Sequence, residues 1–214
     1  MDRSNVVEIL PERVANVSST SYPSHHPDHS GAWDFEEFKQ NLRVNVTRWT
    51  TDLCGFDLVG VDASIANAIR RVLIAEVPSV AIEHVYIWNN TSIIQDEVLS
   101  HRLGLIPLAI DPRKLSFKMD DEANDQNTVV FNLKADCWKN GNSKDATVEG
   151  RYVYSSQLEW DPKGDQAETM ADSPPRPVNQ DIVIAKLAPG QGMEMELHCE
   201  KGIGKDHAKF SPVA

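Results

Sequence analysis

Cysteine is scarce in this chain, and the three present, Cys54, Cys137 and Cys199, lie far apart. An odd, dispersed set is no disulfide framework, and without any CxxC the usual zinc-ribbon spacing is absent. Basic residues are also in short supply: 21 Lys and Arg stand against 32 Asp and Glu, a formal net charge of −11. Nucleic-acid affinity depends on Lys and Arg neutralising phosphates, so the balance argues against a large nucleic-acid footprint of its own. It leaves open work inside an assembly whose other chains carry the charge. No apolar run approaches the ~20 residues of a membrane span, and the amino-terminal MDRSNVVEILPERV is too charged for a signal peptide. The expectation is a soluble, intracellular chain with no membrane contact. Catalytic patterns are missing too: there is no GxSxG, HExxH, GxGxxG or kinase signature. Gly204-Lys205 is followed by Asp206, where a phosphate-binding loop needs Ser or Thr, and no internal repeat is found.

What is present is an ordinary globular composition, 41% hydrophobic and 25% charged over 214 residues, enough for one large or two small domains. The densest pattern runs over 62–108. From 64 to 76 the apolar residues Ile65, Ile69, Val72 and Leu73 recur at helical spacing and line one face, with Asp62 or Ser64 as the cap and Pro78 as the stop. Ile74 and Ala66 widen the apolar surface, so a buried core helix and an interface helix stand level on this pattern. Arg70 and Arg71 cannot both enter a core, and Arg is favoured at interfaces for its planar fork.

Upstream, 16–31 is rich in Ser, Pro and His and reads as an extended lead-in. His25, His26 and His29 raise a metal site, but three imidazoles on a Pro-broken stretch with no fourth ligand favour a solvated loop. WDFEEFKQNL over 33–42 predicts a short helix capped by Asp34, with Phe35 and Phe38 inward. Leu42, Val44 and Val46 then alternate with polar residues as in a half-buried strand, and 54–61 returns as its hairpin partner. After the main helix, Val80, Ile82, Tyr86 and Trp88 are expected on one strand face and Ala81, Val85 and Ile87 on the other, both covered. A helix over 95–103 should point Val98, Leu99 and Leu103 inward and end at Gly104 as a C′ residue. Glu97 and His101 read as a surface i,i+4 pair.

From Asp111 the chain turns polar and reads as a linker or long loop, and the run Asp120, Asp121, Glu122, Asp125 reads as solvated charge rather than a cation site. Strands are expected over 129–137, 148–154, 182–187 and 193–199, with loose stretches at 161–179 and turns at 140–142 and 189–192. Gly202 and Gly204 call for positive φ or a close backbone approach.

The run ANAIRRVLIAEVPSVAIEHVYIWNNTSIIQDEVLSHRLGLIPL resembles the alpha-like subunits of archaeal and eukaryotic RNA polymerases and, in its Arg pair, the bacterial alpha subunit. WDFEEFKQNL, VYSSQLEW and CEKGIGKDHAKFSPVA are most similar to the larger alpha-like subunits shared by RNA polymerases I and III. That resemblance implies an α+β fold: an antiparallel-sheet dimerisation domain with packed helices, interrupted by an inserted β-rich domain. The divisions are then 1–32 as an irregular extension, 33–110 as the first dimerisation part, 111–192 as the insert and 193–214 as the return. The family continues beyond FSPVA, so the carboxy-terminal part is expected to be missing.

The implied role is non-catalytic and architectural. A heterodimer with the small alpha-like subunit forms through Ile65, Ile69, Val72 and Leu73, and serves as platform for the largest and second-largest subunits. Arg70 and Arg71 are the candidates for the large-subunit contact, Arg71 above all. DNA and RNA are met only through the complex, in nucleus and nucleolus. Relatives in RNA polymerase II carry a cysteine-bound zinc and some archaeal ones an iron–sulfur cluster; with only Cys137, or Cys199 besides, no cofactor is implied here. The alternatives are an alpha-like subunit of another nuclear or archaeal polymerase, a metal-dependent enzyme using His25, His26, His29 and the acidic run, and a β-rich adaptor unrelated to transcription.

Overall fold

A computed structural model describes residues 8–15, 34–51, 53–119, 122–140 and 147–213. The chain divides into two units, 1–72 and 73–214, with the division inside one helix. In the first, β1 (Glu8–Ile9) pairs with β2 (Val14–Ala15). Helix α1 (Phe35–Asn41) follows, started by the Asp34 carboxylate accepting from the backbone N–H of Glu36 and Glu37 at 2.8 and 3.2 Å. Strands β3 (Arg43–Trp49) and β4 (Cys54–Val59) form the expected antiparallel hairpin, in register from Arg43 opposite Val59 to Trp49 opposite Cys54. Helix α2 (Ala63–Ala75) then begins at Asp62, whose carboxylate accepts from the Ser64 N–H at 2.8 Å.

Two expectations fail in this stretch. Phe35 is exposed rather than inward, and β3 is not half-buried: Val44 and Val46 stand open. The reason is shared, because among the described residues of 34–72 none is buried. Local hydrogen bonds and capping hold these elements, with no core behind them among the described residues.

The second unit is built on a sheet of β5 (Ser79–Asn90), β7 (Thr128–Asp136), β11 (Glu159–Asp161) and β14 (Gly192–Gly202), in the order β11-β7-β14-β5 and antiparallel throughout. Helix α3 (Asp96–Gly104) buries Leu99 and Leu103 on its core face. Strand β6 (Leu108–Ala109) pairs with β12 (Arg176–Pro177), β8 (Trp138–Asn140) with β9 (Thr147–Glu149), and β10 (Tyr152–Tyr154) with β13 (Val183–Lys186); α4 (Gln166–Thr169) is a single turn. Met193, Met195, Leu197 and Cys199 of β14 alternate into the core, meeting Phe131 and Leu133 of β7 and Val153 and Ile184 of the β10–β13 pair. The mixed fold with antiparallel sheets and few helices agrees with the expected α+β class.

Several local expectations are corrected here. Strand β5 does not keep its two faces. Its partners step from His84 to Ile82 and from Asn89 to Ile87 while β14 advances one residue, so Glu83 and Trp88 are extra residues. A bulge shifts the alternation by one. Val85 and Ile87 therefore join Val80 and Ile82 on the core side, and Tyr86 and Trp88 turn outward. On α3, Val98 is exposed, and Gly104 lies inside the helix; the cap is Leu105, in the right-handed region. Strand β5 runs on through Asn89 and Asn90.

The stretch after Asp111 is no linker. A 3₁₀ turn at Pro112–Lys114 is capped by Asp111, Leu115 is buried, and the Ser116 N–H donates to the Gln126 carbonyl at 2.9 Å. Asn124 and Asn127 each accept the other's backbone N–H, at 3.0 and 2.9 Å, so side-chain amides stand in for a regular ladder. The strand expected over 148–154 breaks at Gly150, φ 72°, into β9 and β10. The stretch 161–179 holds α4 and β12 and packs through Gln166, whose Nε2 donates to the Asp125 and Thr128 carbonyls, both at 2.7 Å. The turn expected at 140–142 falls mostly outside the described residues, as do His25, His26, His29, Asp120 and Asp121.

Gly202 and Gly204 serve close approach, not positive φ. A Cβ on Gly202 would meet the Phe210 ring, and one on Gly204 would overlap the Ile74 carbonyl oxygen. The neighbouring Lys205 N–H donates to the Ala75 carbonyl at 2.9 Å, which satisfies an orphan acceptor at the end of α2. Gly204→Ala should therefore force backbone to move and destabilise the second unit by about 1–3 kcal/mol. Denaturant unfolding of the purified variant checks this, and an unchanged midpoint would show that the loop yields freely.

Candidate protein-interaction surface

Helix α2 owes its existence to alanine-rich local propensity and the Asp62 cap more than to burial, since none of its residues is buried. On a 3.6-residue turn Ile65, Ile69, Val72 and Leu73 share an arc of roughly 100°. Ile65 is half-buried, while Ile69, Val72 and Leu73 expose 40–44% of their surface. These positions meet on one face. Ile74 is 41% exposed and lies on the opposite side of the helix.

The arginines behave differently from each other. Arg70 is tied down along its own helix, its Nε and Nη2 donating to the Asn67 side-chain oxygen at 3.2 and 2.9 Å. Arg71 makes no hydrogen bond or ion pair among the described residues and points away from the apolar arc. One of the pair is thus held as part of the helix, and the other is free to reach a carboxylate outside it.

A second apolar stripe belongs to the same unit. Val44 stands opposite Leu58 and Val46 opposite Phe56, so these four share one face of the β3–β4 hairpin, with Val44, Val46 and Phe56 exposed. The alternation that marked β3 in the sequence was the signal for this stripe; what it could not show is that no described residue of the unit covers it.

Several charges of the second unit are committed internally. Glu200, buried, takes Lys118 at 2.6 Å and His84 at 3.4 Å, and Lys209 pairs with Glu83 while donating to the Ile82 carbonyl at 2.8 Å. Asp111 is held down at about 2 by its hydrogen bond from the Arg113 guanidinium. Burial pushes the Cys199 thiol well up, Cys137 is also buried, and Cys54 is exposed. Glu97 and His101 form no ion pair with each other. Among the described residues no group of three or more His, Cys, Asp or Glu is placed to hold a metal ion, and no helix is long and apolar enough to cross a membrane.

A family model describing the RNA polymerase Rpb3/RpoA insert domain matches residues 85–212. The chain belongs to that family. The match opens inside β5 and takes in α3 and all the strands that follow, so most of the sheet and core of the second unit lies within it. Curated relatives extend the likeness to the other unit. The "DNA-directed RNA polymerases I and III subunit RPAC1" of Saccharomyces cerevisiae is 44% identical over 99% of this chain and 66% of its own length. The subunit of the same name from Mus musculus is 46% identical over 94% of this chain and 60% of its own. The "DNA-directed RNA polymerases II, IV and V subunit 3" of Arabidopsis thaliana is 36% identical over 85% of this chain and 57% of its own. The chain thus spans 60–66% of the length of the first two relatives.

Proposed function

We propose that this protein is a non-catalytic, architectural subunit of DNA-directed RNA polymerases I and III, the larger of the two alpha-like subunits. The observation that carries the reading is the stretch 34–72 of the first unit: regular elements with no buried residue among those described and two open apolar stripes, which is half of an interface rather than a finished domain. The higher identity to relatives named for polymerases I and III, 44–46% against 36%, favours those enzymes over other alpha-like assignments.

In this reading Ile65, Ile69, Val72 and Leu73 pack against the small alpha-like subunit. The heterodimer is the platform on which the largest and second-largest subunits assemble. DNA and RNA are reached only through the complex, in the nucleus and its nucleolus, and no cofactor is required. The domain plan is a dimerisation domain over 33–110 and 193–214 around an insert at 111–192, after an extension over 1–32. A pull-down of the full-length protein from nuclear extract tests the reading. Subunits of polymerases I and III should both be recovered and those specific to polymerase II should not; recovery of polymerase II alone would overturn it.

Arg71 is the contact to the second-largest subunit, because it is the arginine left free while Arg70 is held by Asn67. Arg71→Glu should lower recovery of that subunit about tenfold or more, as removal of an interfacial Arg fork does, and leave the heterodimer intact. Loss of the heterodimer in place of the large subunit would reverse the roles given to the two faces.

A further inference from the structure

Strand β5 is an edge of the four-stranded sheet, and toward its end two aromatic side chains face away from the core. The bulge at Trp88 throws the indole outward to 72% exposure, and Tyr86 is 48% exposed, its ring held edge-on by His198 at 4.7 Å between centroids. Five residues on, Ile93 is 86% exposed at the rim of an open cleft of about 500 Å³, lined also by Asn90, Ser92, Asp96 and Glu97. Three large apolar side chains in so short a span exceed the scattered exposure that needs no explanation.

The charge around them has one dominant sign. Glu196 lies directly opposite Tyr86 and Glu194 opposite Asn89, while Asp96 and Glu97 form the first turn of α3. Lys134 is bridged to Glu194 at 3.1 Å and His198 Nε2 lies 2.7 Å from the Glu196 carboxylate, yet the two glutamate side chains stay 48% and 32% exposed. Four carboxylates repel nucleic acid and an acidic peptide alike. Aromatic faces beside carboxylates suit the opposite ligand. A guanidinium or ammonium can stack on the indole and take a carboxylate at its edge.

We infer that this rim of β5, β14 and α3 docks a basic, apolar segment of another polypeptide, with an Arg or Lys on Trp88 meeting Glu194 and Glu196, and an apolar neighbour in the cleft beside Ile93. The site uses none of the α2 residues, so it is a separate attachment point from the heterodimer contact. It extends the architectural reading by giving the second unit a partner of its own.

The test places a photoreactive benzoylphenylalanine at position 88 of the full-length protein in its native complex and sequences the cross-linked peptide. The expected product is a segment of a different chain carrying Lys or Arg among apolar residues. A second copy, the chain's own amino-terminal residues, nucleic acid, a segment without basic residues, or no product would each overturn the inference. The triple variant Trp88→Ala, Glu194→Lys, Glu196→Lys should cut recovery of that cross-linked chain about tenfold or more. Undiminished recovery would overturn it too. Co-elution of the small alpha-like subunit with this variant should be unchanged, which separates failure here from failure of the α2 assignment.

Discussion

Ile69→Asp with Val72→Asp should abolish the heterodimer with the small alpha-like subunit. Both side chains lie on the apolar arc of α2 and are already 40% and 44% exposed in the free chain, so neither supports a core whose loss would confuse the result. Burying two such side chains against a partner contributes about 3 kcal/mol or more, and an aspartate there adds an unpaired carboxylate to a dry contact. The sum exceeds about 4 kcal/mol, or roughly a thousandfold in Kd. Co-expression of full-length protein with the partner, followed by size exclusion, reads the effect directly. Glu76→Gln, just past the helix end, serves as the control and should co-elute normally. Far-ultraviolet circular dichroism of the free double variant should match the parent. A heterodimer that survives the pair of aspartates would move the contact to the Val44–Val46 stripe of β3.

Much of this architecture is legible in the residues because much of it is periodic. Met193, Met195, Leu197 and Cys199 alternate in the sequence and all four enter the core, and the Asp34 and Asp62 caps sit where short acceptors precede helical runs. Periodicity says which side of an element is apolar, but not whether anything covers it. That is why Phe35, Val44 and Val46 were expected inside and are found open: the covering surface belongs to no described part of their unit.

The other misses come from single residues that break a period. Two extra residues in β5, Glu83 and Trp88, are invisible in composition, yet they decide that Tyr86 and Trp88 face outward. The polar stretch after Asp111 looked like a linker because its order rests on Asn and Gln side chains bonding backbone groups, as Asn124, Asn127 and Gln166 do, and not on apolar burial. The surface candidates divide in the same way. The α2 face and the Arg pair stand out by spacing, whereas the difference between Arg70 and Arg71 needs the Asn67 side chain in place.

Phe131→Ala should give the largest loss of stability of any single change in the second unit. Phe131 is fully buried on β7, the strand that pairs with β14 on one side and β11 on the other, and it stands opposite both Leu197 and Trp160. Truncation there removes ring contacts with two neighbouring strands and leaves a cavity that the flanking sheet cannot close, since its backbone is fixed by ladders on both edges. Such changes cost about 3–5 kcal/mol, a large fraction of the 5–15 kcal/mol that holds an ordinary domain. For a unit of this size the melting temperature should fall by about 10 °C. Phe131→Leu, which keeps most of the volume, should cost about 1.5 kcal/mol or less. Differential scanning calorimetry of the two variants separates a cavity effect from a general intolerance of change. Equal losses for Ala and Leu would mean that ring shape and not filled volume is what the sheet requires, and a loss below about 1 kcal/mol for Ala would remove Phe131 from the centre of the core. Because the α2 arc lies outside this cluster, Phe131→Ala protein kept below its lowered melting temperature should still form the proposed heterodimer, which the aspartate pair should abolish.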